Sequence, residues 1–273
     1  MNTAFDPRTV ALSPDELSGR IIAITGPTRG IGEALAIACA THGATVVLVG
    51  RNVKRLEAVH AKIEAAGGAE ATIAPFDLEK AVASDYDTLA SAILERYGRL
   101  DGLVHNASIL GMLAPIDHYD VPTWYRVMHV NVTAAFALTH VLLPLLRRSD
   151  DASVIFTSSG VGRKARAFWG AYAVSKCAIE GLSEILAQEL ESVSHVRVNT
   201  MNPGATRTAM RLQAYPSENP NSVTAPEDVV GPYLALLGPA SRGITGQQFD
   251  AQPPRLIRPM ASSALLIVNK RLN

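Results

Sequence analysis

Tyr172 and Lys176 stand four residues apart at the start of a stretch with helical periodicity. This spacing places a phenol and an ammonium on one face of a helix. A lysine ammonium beside a phenol favours the phenolate, so Tyr172 could exchange a proton nearer neutral pH than a free tyrosine does. A single pair of this kind often arises by chance, and its meaning depends on the residues that the fold brings to it.

Two other polar residues occupy informative positions. Ser159 lies 13 residues before Tyr172, just beyond a predicted strand at 153–157. Ligands of a doubly wound sheet bind at the carboxyl ends of the strands, which is where this serine falls. Asn131 lies within a predicted helix, although asparagine prefers helix caps. Both residues are therefore candidates for a functional role.

A glycine-rich turn joins the first predicted strand to the first predicted helix at residues 25–32, which read TGPTRGIG. Glycines in such a turn let the backbone approach a pyrophosphate, and the helix N-terminus adds amide donors and a positive dipole. A glycine-rich turn alone is a weak signal. Its place between a strand and a helix favours a dinucleotide site over a tight turn that binds nothing.

The end of the second predicted strand bears on the choice of dinucleotide. An NAD site usually has an acidic residue there, which binds the adenosine ribose. This chain has Arg51 at that place and no carboxylate until Glu57. With Arg29 in the glycine turn, two guanidinium groups could converge on a 2′-phosphate. The alternative is two solvated surface arginines, and together with the missing acid the pattern favours NADP(H) over NAD(H).

Short apolar runs alternate with longer helical patterns along the chain. This rhythm predicts an α/β fold, a single domain with a doubly wound, seven-stranded parallel sheet and helices on both faces. The predicted strands are 21–25, 45–49, 71–76, 103–105, 153–157, 196–200 and 247–250, and the predicted helices are 31–42, 54–66, 85–97, 124–146, 171–191 and 227–237.

Composition excludes several classes of protein. The 25 Lys and Arg residues balance 25 Asp and Glu residues, whereas nucleic-acid binders usually carry a basic excess. Two cysteines far apart form no disulfide framework, and the seven histidines never fall at metal-ligand spacing, so no metal site is predicted. The longest apolar stretch, 132–146, is shorter than the roughly 20 residues of a membrane-spanning helix. We expect a cytoplasmic protein that binds neither nucleic acid nor membrane.

Over residues 18–250 the chain resembles the short-chain dehydrogenase/reductase family, in its common catalytic branch. Segment 168–176 and the ending at 249–253 resemble a bacterial subgroup, the YciK-type oxidoreductases. The motifs that carry the resemblance are the glycine turn, Asp77-Leu78, His105-Asn106-Ala107-Ser108, Asn131, Ser159, Tyr172 with Lys176, and Pro203–Thr208.

The resemblance implies a Rossmann fold and hydride transfer between NADP(H) and a carbonyl or alcohol substrate. It implies that Tyr172 is the proton donor and acceptor, that Ser159 polarises the carbonyl, that Lys176 lowers the tyrosine pKa and holds the nicotinamide ribose, and that Asn131 keeps a relay water in place. The cofactor residues that it implies are Gly26, Thr28, Arg29, Gly30, Ile31, Gly32, Arg51, Asp77, Leu78, Asn106, Ala107, Tyr172, Lys176, Pro203, Gly204, Thr206 and Thr208.

The expected layout has an N-terminal extension at 1–17, a dinucleotide-binding domain at 18–252 and a basic C-terminal tail at 253–273. Family members pair through their long helices, so a homodimer or homotetramer is expected through helices 124–146 and 171–191. The tail is interpreted as a frayed end rather than an arm that docks on a partner.

Several alternatives stay open. A non-catalytic NADP(H) sensor or scaffold on the same fold would usually lose the serine, tyrosine and lysine, which this chain keeps. Among enzymes, a 3-ketoacyl-thioester reductase is an alternative. The proline-rich loop 211–226 is expected to be a lid or binding loop. Basic residues beside the pocket indicate either an anionic substrate or a solvated rim; they are Arg163, Lys164, Arg166, Arg207 and Arg211.

Overall fold

The computed structural model describes residues 5–253. Within them, seven strands form one sheet in the order β3-β2-β1-β4-β5-β6-β7, and every neighbouring pair is parallel. This confirms the predicted doubly wound sheet. The strands are β1 (Ile21–Thr25), β2 (Thr45–Gly50), β3 (Ala71–Pro75), β4 (Gly102–His105), β5 (Ser153–Thr157), β6 (Arg197–Asn202) and β7 (Gln248–Asp250).

Helices connect the strands, and shorter 3-10 turns begin at Pro7, Ile116, Pro220, Pro226 and Pro239. The helices are α1 (Gly30–Thr41), α2 (Val53–Ala65), α3 (Ala83–Tyr97), α4 (Val121–Met128), α5 (Ala134–Leu146), α6 (Gly160–Arg163), α7 (Gly170–Leu190), α8 (Ala209–Ala214) and α9 (Gly231–Leu237).

Two apolar layers cover the sheet, one on each face. Strands β1 and β5 are buried along their whole length, as expected for a parallel sheet between helices. One layer joins the sheet to α3, α5 and α7, and its buried residues include Leu138 and Leu190. The other joins it to α1, α2 and α9, with Leu35 and Tyr233. The short apolar runs of the sequence therefore correspond to strands that are buried on both faces of the sheet.

The helix predicted at 124–146 differs in detail. It begins at Val121, because the Asp120 carboxylate accepts a hydrogen bond from the amide of Thr123 at 2.8 Å. Between α4 and α5 the chain forms a π-helical segment, His129–Thr133. Such π turns occur frequently at functional sites, and this one contains Asn131.

A buried ionic network ties the strands together at their amino ends, opposite the edge where ligands bind. Arg197, at the start of β6, donates from Nε to Asp151 Oδ1 at 3.0 Å. Arg20, just before β1, forms a second ion pair with the same carboxylate. Asp101, just before β4, accepts from the amide of Ile21 at 2.9 Å. These contacts hold the starts of β1, β4, β5 and β6 in register.

The N-terminal residues pack against the sheet domain. The ring of Phe5 meets that of Phe249 edge-on, with centroids 5.9 Å apart. Pro7 and Leu17 are both buried. The described part of the predicted extension is therefore continuous with the hydrophobic core. The predicted C-terminal tail lies, apart from Pro253, outside the described residues.

One segment, Val121–Leu146, is long and apolar enough to cross a membrane by length and composition. Half of its most apolar window is buried inside the molecule, and core helices of soluble proteins pass the same test. In this fold the segment packs against α3 and α7.

Candidate active site

A cleft of about 570 Å³ opens at the carboxyl ends of the strands. Its walls include every residue predicted for catalysis or cofactor binding except Asn131, which lies directly behind them. The predicted residues in its lining are Gly26, Thr28, Arg29, Gly30, Ile31, Gly32, Arg51, Asp77, Leu78, Asn106, Ala107, Ser159, Tyr172, Lys176, Pro203, Gly204, Thr206 and Thr208.

The glycine turn is held closely against the end of β4. Gly26 has a positive φ of 66°, and a Cβ on Gly32 would lie 2.3 Å from the carbonyl oxygen of Gly26. The Asn106 side-chain amide donates to the carbonyl oxygens of Thr25 and Gly26 at 3.1 and 3.2 Å. Asn106, expected near the adenine and its ribose, thus fixes the shape of the turn while it lines the cleft. No side chain larger than hydrogen fits at Gly32.

Tyr172 lies on the first turn of α7 and faces Ser159. Ser159 is the N-cap residue of the short helix α6, and its backbone is extended. Burial raises the pKa of Tyr172 to about 12, while its hydrogen bond with Ser159 favours the lower value. The Lys176 ammonium donates to the carbonyl oxygen of Thr157 at 2.7 Å and lies 5.7 Å from the centre of the Tyr172 ring.

Asn131 has its side-chain amide fully engaged. Its Oδ1 accepts from the amide of Ile109 at 2.8 Å, and its Nδ2 donates to Ile109 O and Ser175 Oγ, both at 3.0 Å. The π-helical turn aims this side chain at the loop after β4. The structure therefore shows that Asn131 ties the loop beside the cleft to α7.

A family model described as short chain dehydrogenase matches residues 20–219. The chain belongs to the short-chain dehydrogenase family. It is therefore an oxidoreductase that acts on alcohol or carbonyl groups.

Relatives and a solved structure agree with this assignment. The uncharacterized oxidoreductase YciK of Escherichia coli K12 is 46% identical over 241 residues, which cover 88% of this chain and 95% of the relative. A rhamnolipids biosynthesis 3-oxoacyl-acyl-carrier-protein reductase of Pseudomonas aeruginosa is 34% identical over 247 residues, 84% of this chain and 93% of the relative. A short chain dehydrogenase of Escherichia coli CFT073 complexed with NADPH has 47% identity and a TM-score of 0.84, covering 88% of this chain and 100% of its own. The resemblance to the YciK-type subgroup is confirmed.

Arginines gather at the end of the cleft near β2 in this short-chain dehydrogenase. Arg29 and Arg51 line it as predicted, and Arg55, on α2, joins them. Arg51 also donates to Glu79 at 3.2 Å, and Glu79 accepts from Arg126 at 2.7 Å, which lowers the pKa of that carboxyl. Sequence analysis missed Arg55, although it lies only four residues after Arg51. It also missed Glu79, because 28 residues separate this carboxylate from Arg51.

A buried carboxylate, Glu180, stands one helical turn after Lys176. Its Oε2 accepts from Thr200 Oγ1 at 2.7 Å, and its Oε1 accepts from Ser158 Oγ. Burial lowers the pKa of Lys176 to about 8, and the charge of Glu180 acts in the opposite direction. Sequence analysis missed Glu180, although the four-residue spacing from Lys176 was the available signal.

His105, the last residue of β4, has a packing role. Its ring stacks on Phe156 with centroids 4.7 Å apart, and Nε2 lies 2.8 Å from Thr139 Oγ1. Burial, and then the charge of Lys176, lower the pKa of His105 to about 3. The imidazole is therefore neutral and belongs to the core behind β4.

The expected basic rim is largely absent from the cleft. Among the five basic residues named for it, all of which the structure describes, Arg211 alone lines the cleft. Arg163 instead donates to Asp250 Oδ1 at 2.8 Å and to Phe249 O at 2.7 Å, so it anchors the end of β7. The predicted loop 211–226 continues α8 to Ala214 and contains a 3-10 turn at Pro220–Ser222. Its first residues contribute to the cleft wall.

Proposed function

We propose that this short-chain dehydrogenase is an NADP(H)-dependent oxidoreductase that interconverts a carbonyl and an alcohol. The observation that carries the proposal is the meeting of Ser159, Tyr172 and Lys176 in the same cleft as the glycine turn. The NADPH complex of the E. coli CFT073 neighbour supports the choice of cofactor. When bound, NADPH supplies the hydride.

The cofactor has a natural place along the cleft. The glycine turn and the N-terminus of α1 would hold the pyrophosphate, since a helix N-terminus offers free amide donors. Arg29, Arg51 and Arg55 would surround the 2′-phosphate, because charge-assisted bonds from guanidinium groups suit phosphate oxygens. Residues 203–208 would border the nicotinamide, and Asp77 and Leu78 the adenine.

The protein's own side chains would polarise the substrate, transfer the proton and stabilise the charges that develop. Ser159 would donate a hydrogen bond to the substrate oxygen, which gains negative charge as the carbonyl is reduced. Tyr172 would give that oxygen its proton, and in the reverse direction accept it. The Lys176 ammonium, which donates to Thr157 O, would stabilise the resulting phenolate electrostatically. Asn131 would position the loop at Ile109.

A 3-ketoacyl-thioester reductase is the second candidate, favoured by the name of the P. aeruginosa relative at 34% identity. The two candidates share the catalytic residues and differ in the substrate. A panel of ketones, ketoacyl thioesters and quinones, each followed by NADPH oxidation, tests the proposal. Reduction of at least one class is expected. A protein that binds NADPH and reduces nothing in the panel would instead be the non-catalytic sensor.

We also propose a cytoplasmic homodimer or homotetramer whose catalytic domain spans residues 18–252. Helices α4, α5 and α7 carry exposed apolar side chains that a second copy could cover, namely Tyr125, Phe136, Val174 and Ile185. Cys39 and Cys177 are free thiols, which suits a reducing compartment. Sedimentation at micromolar concentration tests the assembly, and a monomer would contradict it.

A further inference from the structure

One wall of the cleft beside Tyr172 is apolar. Leu110 is 4% exposed and packs with the Tyr172 ring in one cluster. The partly buried side chains of Trp169, Met210 and Ala214 pack against the same cluster, and all of them line the cleft. The space next to the tyrosine hydroxyl is therefore bounded by hydrocarbon and by an indole ring.

Aromatic rings continue this wall outward. The centroids of Tyr172 and Trp169 are 5.8 Å apart, and those of Trp169 and Tyr215 are 5.9 Å apart. Adjacent rings are tilted by 46° and 47°, and the three rings pack together as one aromatic surface. Such a surface buries a large apolar area and favours further aromatic or hydrocarbon groups against it.

The cation at the end of this wall is already neutralised. Arg211 donates from Nε and Nη2 to the two carboxylate oxygens of Glu218, both at 2.6 Å. Its guanidinium carbon also lies 3.8 Å from the centre of the Tyr215 ring. A substrate anion would therefore have to compete with a bidentate carboxylate held in ideal geometry for guanidinium.

The other charged side chains of the described lining do not belong to this wall. Lys176 is buried and donates to Thr157 O. The rest follow β1, β2 or β3, on the far side of β4 from Tyr172; they are Arg29, Arg51, Arg55, Asp77 and Glu79. A carboxylate or phosphate placed against the apolar wall would lose its hydration without gaining a free counter-charge, which is costly.

We propose that the substrate is an uncharged aldehyde or ketone with an aromatic or bulky hydrocarbon group next to the carbonyl, and that this group lies on the wall formed by Leu110, Trp169 and Met210. The inference rests on the proposed function. In the reaction, the carbonyl carbon would accept the hydride of NADPH and the oxygen would accept the Tyr172 proton, which gives an alcohol and NADP⁺. The Tyr172 phenolate would then regain a proton from water, so that one NADPH and one proton are consumed. Substrates that would place a carboxylate against this wall, such as aromatic keto acids, are not the ones that it selects.

Binding of two matched alcohols to the protein with saturating NADPH tests the substrate class directly, since an alcohol cannot react with the reduced cofactor. The probes are 4-isopropylbenzyl alcohol and 4-(hydroxymethyl)benzoate, which differ mainly in charge. Calorimetry should give a dissociation constant lower by about tenfold or more for the neutral alcohol. Equal affinities, tighter binding of the carboxylate, or no binding of the neutral alcohol would overturn the proposal.

Three variants test whether the preference for the neutral alcohol depends on the apolar wall beside Tyr172. Trp169→Ala should weaken binding of the neutral alcohol about tenfold, as expected for loss of an aromatic contact surface. Trp124→Ala is the matched control, because Trp124 packs on Tyr119 outside the cleft and its loss should leave this affinity unchanged. Glu218→Gln releases the charge of Arg211 and should improve binding of the carboxylate alone. Retained NADPH binding verifies that each variant is folded.

Turnover of the corresponding aldehydes separates this inference from the proposed function. If 4-carboxybenzaldehyde is reduced with a higher kcat/KM than 4-isopropylbenzaldehyde, the substrate class is wrong and the oxidoreductase proposal stands. If the neutral alcohol binds preferentially and neither these aldehydes nor any other carbonyl of the panel is reduced, the oxidoreductase proposal fails, while the apolar binding surface is supported.

Discussion

The Lys176 ammonium lies 5.7 Å from the centre of the Tyr172 ring and gives its hydrogen bond to the carbonyl oxygen of Thr157. The two groups are therefore neighbours without a direct bond between them. Burial is the largest influence on both pKa values, because it favours the neutral form of each side chain. It raises the pKa of Tyr172 to about 12 and lowers the pKa of Lys176 to about 8. At pH 7 the phenol is protonated and the lysine is charged.

A pH dependence of carbonyl reduction follows from these pKa values. The folded pKa of Lys176 lies below its ordinary value of 10.5, so the ammonium is present at neutral pH and is lost as the pH rises through about 8. The Tyr172 proton stays in place over this range. We expect kcat for reduction to be level near pH 7 and to fall up to about tenfold per pH unit above 8. A profile that stays level to about pH 10 would contradict this.

Substitution of Glu180 tests whether loss of the Lys176 charge causes the fall in kcat above pH 8. The Glu180 carboxylate favours the charged form of Lys176, so Glu180→Gln should shift the decline to lower pH, by up to about one unit. Glu184→Gln, an exposed position on the same helix, is the matched control and should leave the profile unchanged. A merely structural role for Glu180 would lower stability without moving the pH at which the rate falls.

Tyr172→Phe separates catalysis from binding. The substitution removes one hydroxyl from a buried ring, so the fold and NADPH affinity should survive. Because general acid–base groups contribute about 10²–10⁴-fold, kcat should fall by that factor on any substrate found. Ser159→Ala should also slow turnover and spare NADPH binding, whereas Lys176→Met should reduce both. Steady-state kinetics with a parallel NADPH titration decides the matter, and a Tyr172→Phe variant with unchanged turnover would refute the mechanism.

Arg51→Ala tests the cofactor assignment. Loss of a charge-assisted hydrogen bond to the 2′-phosphate should weaken NADPH binding about 10–100-fold and leave NADH binding nearly unchanged. Arg126→Ala is a suitable control, because Arg126 shares the carboxylate of Glu79 and does not line the cleft. Fluorescence titration of both cofactors gives the answer. Equal losses for NADPH and NADH would argue against recognition of the 2′-phosphate.

Asp151→Asn should destabilise the fold without changing the site. The substitution leaves Arg20 and Arg197 without their shared counter-charge in a buried place, and breaking such pairs costs about 3–5 kcal/mol. Urea unfolding measures the free energy, with Asp150→Asn as an exposed neighbouring control. NADPH affinity at low denaturant should be unaltered, since the network lies at the opposite edge of the sheet. A drop in affinity with unchanged stability would contradict this separation.

Periodicity and spacing predicted most of the architecture, because burial on both faces of a parallel sheet leaves apolar runs that are visible in the chain. The glycine turn and the segment with Tyr172 and Lys176 were also visible, since their geometry is local. Contacts between distant elements were not. Glu79 meets Arg51 from another loop, and Glu180 meets Ser158 and Thr200 through the packing of α7, so neither pairing follows from local sequence.

The basic rim illustrates the same limit. Arg163 and Arg211 were both predicted to lie beside the pocket, but only Arg211 lines it, and the acidic partner of each arginine determines its role. The partner of Arg211, Glu218, follows only seven residues later, but this pair could not be predicted without the shape of the turn between them. Charge counted along a sequence therefore overestimates the charge available to a ligand.

The π-helical segment His129–Thr133 constrains the number of residues as well as their types. A π turn holds one residue more than an α turn at the same place in a helix. Deleting one residue here would replace the π turn with an ordinary α turn and change the direction in which its side chains point. Asn131 would then point away from Ile109, and the loop beside the cleft would lose its anchor. Chain length between Asp120 and Leu146 is thus itself a requirement of the site, and sequence insertions or deletions there should be read as changes in the active site.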